Sequence, residues 1–250
     1  MTVKLRSNPI GCSHEEWQVR VDLAACYRIA ARNRMGKVVW NHITARVPGE
    51  DGLLINRLGY RWDEITASNL MKIDAQGRPV DGDPDELNFS GYVIHGAVHE
   101  ARPDILCSMH THTRGGQVVG ALKCGLLPLC QEAMLFYEDI AYHAYEGIAD
   151  DVNEQERLAA NLGNCNQMIL RNHGLLTVGA TVGEAYWRMF QLEWACALQA
   201  DVLATGQEFE IPSPEICRKA RLQYIEEKAG YHEWPALRRE LDQTDPAYAT

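Results

Sequence analysis

The chain has 250 residues, 46% of them hydrophobic and 23% charged, proportions that leave room for a sizeable globular core. Its formal net charge of −10 argues against nucleic acid or an anionic membrane surface as the main partner and leaves a small molecule in a local pocket as the expectation. No run approaches the ~20 apolar residues of a membrane span, residues 1–13 lack the apolar core of a signal peptide, and the eight cysteines show no C-x-x-C pair, so reduced thiols and a cytoplasmic setting are expected.

Residues 1–13 carry Pro9, Gly11 and scattered charge and read as a loose arm. Ser13 suits an N-cap, with Glu15 and Glu16 in the first turn, where acids favour the helix dipole. Trp17, Val21, Ala24, Ala25 and Ile29 then give the stripe of a helix ending near 33–36. Extended pieces follow at 38–40 and 42–47, then a turn cluster at 48–52 and a strand at 53–55. Another strand is expected at 70–74, after a short turn that Thr66 or Ser68 could cap, and the polar stretch 76–84 turns the chain. Val93, Ile94, Ala97 and Val98 mark a second helix over 92–101, stopped by Arg102-Pro103-Asp104. The segment 105–112 reads as the central strand, 114–122 as a helix and 126–129 as a strand; 133–148 shows no clear period. A helix is expected at 153–162, strands at 168–170 and 174–179, and a long helix from a Thr181 cap to 205. A helix over 212–228 and an amphipathic tail around Trp234 complete the chain. The pattern implies one three-layer α/β/α domain over 14–206 with a mostly antiparallel central sheet, and a C-terminal helical extension over 207–250.

The chemistry centres on Ser108-Met109-His110-Thr111-His112-Thr113. Side chains two apart on a strand share a face, so the two imidazoles can share one ion. His173, in Ile169-Leu170-Arg171-Asn172-His173-Gly174, also follows an apolar run. Three neutral imidazoles suit Zn²⁺, Fe²⁺ or Mn²⁺ and leave a coordination position open. For any one of these histidines taken alone, packing in the core or on the surface is the competing account. Arg57, Arg61 and Arg114 are candidate carboxylate clamps, because a guanidinium meets such anions in fork geometry.

Ala101-Arg102-Pro103-Asp104, His110-Thr111-His112-Thr113 and Arg171-Asn172-His173-Gly174 come in the order of the class II aldolase/adducin family, and the sequence resembles that family over 17–204. The resemblance implies a class II aldolase-like fold and a homotetramer with sites at subunit interfaces. It implies one divalent metal per subunit, zinc first and iron or manganese as alternatives, held by His110, His112 and His173. Trp40-Asn41-His42-Ile43-Thr44 is similar to the family's Gly-Asn-[Ile/Val]-Ser segment, which makes Asn41 a contact for the anionic end of a substrate. Gly59 resembles a glycine where family backbone amides approach the ligand.

The departures bear on the reaction. The family's sugar-phosphate aldolases carry Ser-Ser-Glu ahead of the helix that precedes H-x-H; the glutamate is a metal ligand and base, and the serines bind phosphate. Here the stretch is Asn88-Phe89-Ser90-Gly91. Gly91 stands at the glutamate position and offers no base, while Ser90 remains as an anion contact or as a helix cap. Trp40 replaces the family glycine and adds an aromatic wall. A glycine beside three histidines resembles a branch containing pyridine-dicarboxylate decarboxylases and an oxygenase of aminocoumarin biosynthesis, whose Phe-Tyr-Glu-Asp looks like Phe136-Tyr137-Glu138-Asp139. That resemblance nominates Tyr137 for proton donation or substrate orientation, with Glu138 and Asp139 as partners for a metal histidine. Glu132 could replace the missing carboxylate if its loop folds inward, and His42 could reach the pocket as acid or base. Ordinary packing or solvation is the competing account for each.

The resulting expectation is a divalent-metal-dependent carbon–carbon lyase, a decarboxylase or aldolase, acting on a small carboxylated or keto-acid substrate with the metal stabilising an enolate. A non-haem iron oxygenase on the same three histidines comes next. An adducin-like binding module with a vestigial metal site is third, and the retained histidines count against it.

Overall fold

The structure, a computed structural model, describes residues 8–149 and 151–250; Met1–Ser7 of the expected arm lie outside the described residues. The first helix, α1 (His14–Arg32), starts at Ser13, whose hydroxyl accepts from the Glu16 amide at 3.1 Å. Three strands follow: β1 (His42–Arg46), β2 (Gly52–Ile55) and β3 (Met71–Asp74). Next come α2 (Phe89–Ala101), β4 (Cys107–Thr111), α3 (Arg114–Ala121) and the single turn α4 (Gln131–Met134). Then come β5 (Ala141–His143), α5 (Glu154–Leu162), β6 (Gln167–Leu170), β7 (Gly174–Gly179) and the long α6 (Val182–Ala204). The chain closes with α7 (Pro214–Glu226) and α8 (Glu233–Thr244).

Among the described residues the strands form one seven-stranded sheet in the order β3-β2-β1-β4-β7-β6-β5. Every pairing is antiparallel except β5 with β6. Strand alternation sorts the side chains into two layers. Ile43, Ala45, Cys107, Met109 and Leu175 join the core built on α1, α3 and α6. Met168, Leu170, Leu176 and Val178 join the core of the opposite face, with α2 and α5. The α/β fold with a mostly antiparallel sheet is therefore as expected. The polar residues His42, Thr44, Ser108 and His110 alternate with the first set, so they face α2 and are buried there.

Three expectations need correction. Residues 38–40 form a turn, not a strand: Val38 has φ 54° and the Trp40 amide donates to the Lys37 carbonyl at 3.2 Å. Their β-branched and aromatic composition instead serves an exposed loop, with Trp40 62% exposed. Residues 126–129 are irregular, because side chains satisfy their backbone: the Leu126 amide donates to Tyr142 Oη at 3.0 Å and the Leu127 amide to Gln199 Oε1 at 2.7 Å. Helix α2 starts at Phe89 rather than at 92, because Asn88 caps it by accepting from the Gly91 amide at 3.3 Å, and Ser90 is not the cap. The C-terminal segment returns to the first core, where Leu241, Tyr248 and Ala249 are buried. The Ala67 amide donates to the Tyr248 carbonyl there at 2.8 Å.

Candidate metal centre and its cavity

His110 lies on β4 and His112 just beyond its end, so both project from the same face of the sheet. His173 is brought to them by the tight turn from β6 to β7, whose pairing ends at Leu170 with Gly174. Asn172 takes φ 55° in that turn, a left-handed conformation asparagine tolerates better than most residues. Gly174 is sterically required, since a Cβ there would lie 2.1 Å from the Thr111 carbonyl oxygen.

The three rings meet with centroids 4.6–4.7 Å apart. His110 Nδ1 donates to the Leu175 carbonyl at 2.9 Å, which leaves Nε2 as its free ligand atom. That Nε2 lies 2.9 Å from His112 Nε2, and one ligand atom from each of the three rings falls within 4.8 Å of the others. Nitrogens about 2.0–2.1 Å from one tetrahedral ion sit about 3.3 Å apart, so the trio fits a divalent cation with only small ring movements. Burial pushes His110 well below the ordinary histidine value. Burial, then the Lys37 charge, brings His112 down to about 4. Burial, then His112 and His143, brings His173 to about 4. All three are thus uncharged at neutral pH, the form that ligates metal.

The trio forms one wall of a cavity of about 430 Å³. Trp40, Ile94, Tyr145 and Ile148 supply apolar surface, while Asn88, Ser90, Gln117 and Asn172 supply polar groups. Lys37 is the one lysine or arginine among the described lining residues.

The family description "Class II Aldolase and Adducin N-terminal domain" matches residues 21–200. The chain belongs to this family. A Pseudomonas aeruginosa protein with a provisional class 2 aldolase name is 44% identical over 242 residues, covering 94% of this chain and 93% of that one. Alpha-adducin of Mus musculus is 42% identical over 204 residues, 80% of this chain but 28% of the adducin. A solved aldolase II superfamily protein from Pseudomonas syringae superposes with a TM-score of 0.89 at 45% identity, covering 96% of this chain and 98% of its own. L-fuculose 1-phosphate aldolase from Glaciozyma antarctica gives a TM-score of 0.83 at 26% identity, with 94% and 92% covered.

Within this class II aldolase fold, the structure brings together only part of the expected residue set. His42 and Ser90 line the cavity beside the trio. Asn41 does not line it. Asn41 is buried, and its Oδ1 accepts from the Lys37 amide at 2.9 Å, so it shapes the loop that carries Lys37 and Trp40. Arg57 is turned away and committed elsewhere, 2.7 Å from Glu86 and 3.8 Å from Asp81. Arg61 pairs with Asp63 at the surface. Gly59 is exposed in a loop outside the cavity, and Arg114 is exposed at the start of α3, also outside it. Tyr137 and Glu132 lie outside the cavity lining within this chain. Glu138 and Asp139 are held in ion pairs with Arg218 and Arg221.

Gly91 explains the odd position left by the family comparison of motifs. A Cβ on Gly91 would stand 3.0 Å from His42 Cγ and 3.0 Å from Ile55 Cδ1. The His42 ring therefore fills the volume into which a side chain at 91 would grow. Its centroid is 5.0 Å from that of His110, and no carboxylate is among the described residues that line the cavity. Burial holds His42 uncharged, well below the ordinary histidine value. Sequence reasoning missed Lys37, Gln117, Tyr145 and Asn172 as cavity residues. Asn172 alone carried a signal, through its place in the Asn-His-Gly turn.

Proposed function

We propose that the chain is a divalent-metal-dependent carbon–carbon lyase, an aldolase or decarboxylase acting on a small carboxylated or keto-acid substrate. The observation that carries this reading is the convergence of His110, His112 and His173 on a cavity in which His42 takes the space of a side chain at 91. A divalent ion held by the three imidazoles would supply Lewis acidity toward a substrate oxygen. Lys37 attracts the substrate carboxylate, and the amides of Gln117 and Asn172 add hydrogen bonds to it. Trp40, Tyr145 and Ile148 restrict water and favour a substrate with an apolar or aromatic body. His42 is the group placed to take or return a proton, since its Nδ1 is engaged by His95 and its Nε2 remains. The aldolase side of the family and the resemblance to the fuculose-phosphate enzyme support the lyase class. The same resemblance supports zinc as the metal and a homotetramer as the working form.

The adducin side of the family supplies a second reading, a binding module, which draws on the identity with alpha-adducin. One series of measurements separates the two. Protein purified without chelator should carry close to one divalent ion per chain, and His112→Ala should lose it. Protein loaded with zinc, manganese or iron is then screened with 2-keto acids and aromatic dicarboxylates for release of CO₂ or aldehyde. A well-folded wild type that takes up no metal would leave the binding module; oxygen uptake with iron alone would make the chain an oxygenase.

A further inference from the structure

Behind His42 the polar groups continue away from the cavity. His42 Nδ1 lies 3.0 Å from His95 Nε2, His95 Nδ1 lies 2.7 Å from Thr44 Oγ1, and Thr44 Oγ1 lies 2.9 Å from His99 Nε2. All four side chains are at most 3% exposed. The arrangement follows from two periods: His42 and Thr44 are two apart on β1, and His95 and His99 four apart on α2, so each pair shares a face. None of His95, Thr44 and His99 lines the metal-site cavity. Such a run of buried polar side chains in the interface between a helix and a sheet is costly unless every member is satisfied.

We propose that this run fixes the tautomer of His42, holding the proton on Nδ1 so that the Nε2 lone pair faces the cavity. The inference rests on the reading of His42 as the proton-transfer group. The three rings are buried with no carboxylate at hydrogen-bond distance among the described residues, so each is neutral, with one donor and one acceptor nitrogen. The Thr44 hydroxyl has one proton and two lone pairs. If it accepts from both rings, His42 still donates from Nδ1 and presents a bare Nε2; if it donates within the run, two arrangements keep all three contacts. In the first, Thr44 donates to His99 Nε2, His95 Nδ1–H donates to Thr44, and His42 Nδ1–H donates to His95 Nε2. His42 then presents a bare Nε2. In the second, every bond reverses and His42 presents an N–H toward the metal ligands.

Two features select the first. At His99, Nε2 is taken up by Thr44, so the backbone of Ile105, which favours a proton on the ring, acts on Nδ1. A proton on Nδ1 makes Nε2 the acceptor, which sets Thr44 as donor and so every bond up to His42. At the other end, an N–H dipole aimed toward a site built for a cation is unfavourable, and a lone pair is not. His95, Thr44 and His99 are thus positioning residues, serving His42 as an orienting carboxylate serves the imidazole of a catalytic triad. A side chain at 91 acting directly as base needs no such support, and a histidine in its space does.

The test uses the full chain labelled with ¹⁵N-histidine, metal-free and zinc-loaded, read by long-range proton–nitrogen correlation spectra. His42→Gln and His95→Gln spectra assign the signals. Wild-type His42 and His95 should both be single Nδ1–H tautomers. Thr44→Val removes the hydroxyl at nearly constant shape and should populate the Nε2–H form of both rings, with Thr44→Ser restoring the wild-type pattern. An Nε2–H tautomer at His42 in the wild type overturns the proposal, as do spectra unchanged in folded Thr44→Val. Should Thr44→Val not fold, the wild-type tautomers decide alone. These spectra hold whether or not a lyase substrate is found. Once one is found, Thr44→Val should lower kcat by roughly 10²-fold and leave KM within a factor of two or so, and Thr44→Ser should recover it.

Discussion

At residue scale, Gly91 and His42 compete for one volume. Growing a carboxylate from Gly91 drives it into the imidazole, with the first clash at 3.0 Å. Gly91→Glu alone should therefore destabilise by about 1–3 kcal/mol in a denaturant titration, the usual cost of overpacking. Combining it with His42→Ala vacates the space, and the double variant should be more stable than the sum of the singles by at least ~1 kcal/mol. Simple additivity of the two changes would show that the ring and the position at 91 do not share space. His99 gives a second residue-scale outcome. Burial, then the Arg46 charge, brings its value down to about 3. The folded state thus binds fewer protons than the unfolded chain below pH ~6.5, so stability is full above that and falls as pH drops toward 3. At pH 5 this one group costs about 2 kcal/mol. His99→Gln should flatten the decline in stability between pH 7 and 5 by that amount in metal-free protein, and an unaltered slope would mean the group is not held neutral.

At element scale, the site depends on how α3 begins. The two helices α3 and α6 meet at Glu193, which accepts from the Thr113 hydroxyl, from the Gly115 amide at 3.0 Å and from the Gly116 amide at 2.9 Å. A carboxylate there answers the free amides of a helix N-terminus and its dipole, although burial pushes its value up. Because α3 starts two residues after His112, the same contacts fix the backbone that carries this histidine. Glu193→Ala should cost about 2–4 kcal/mol by orphaning buried donors and weaken zinc binding measured by competition with a chelating dye; full zinc affinity in the variant would separate the helix cap from the site. None of this was legible in the sequence, where Glu193 is one acid on a long helix. What could be read there was local and periodic: the two imidazoles two apart on a strand, His173 between an apolar run and a glycine, and the Ser13 cap of α1. The losses came where tertiary partners decide. Arg57 resembles a free anion clamp until Glu86 and Asp81 engage it, and Val38–Trp40 resembles a strand until the Asn41 side chain closes it into a loop.

At the scale of the molecule, the mouth of the cavity is unusually apolar for a free surface. Trp40, Tyr145 and Ile148 line it and are 62%, 54% and 76% exposed, and two further exposed apolar residues are near in the chain, Val38 in the loop of Trp40 and Phe89 at the start of α2 next to Asn88. A cluster of this kind around a pocket marks a surface that another molecule covers. Cover from a second copy of the chain would both bury the rim and dry the cavity, strengthening the pull of Lys37 on a substrate carboxylate. The homotetramer proposed from the family resemblance meets both needs. Sedimentation equilibrium should then give a mass near four times the 28.1 kDa of one chain. Trp40→Glu with Ile148→Glu should lower that mass while leaving zinc bound, because neither residue is a ligand. If the wild type is a monomer at micromolar concentration, the tetramer is wrong and the apolar rim must be assigned to the substrate. If the double variant keeps the wild-type mass, the interface lies elsewhere and the rim again belongs to the substrate.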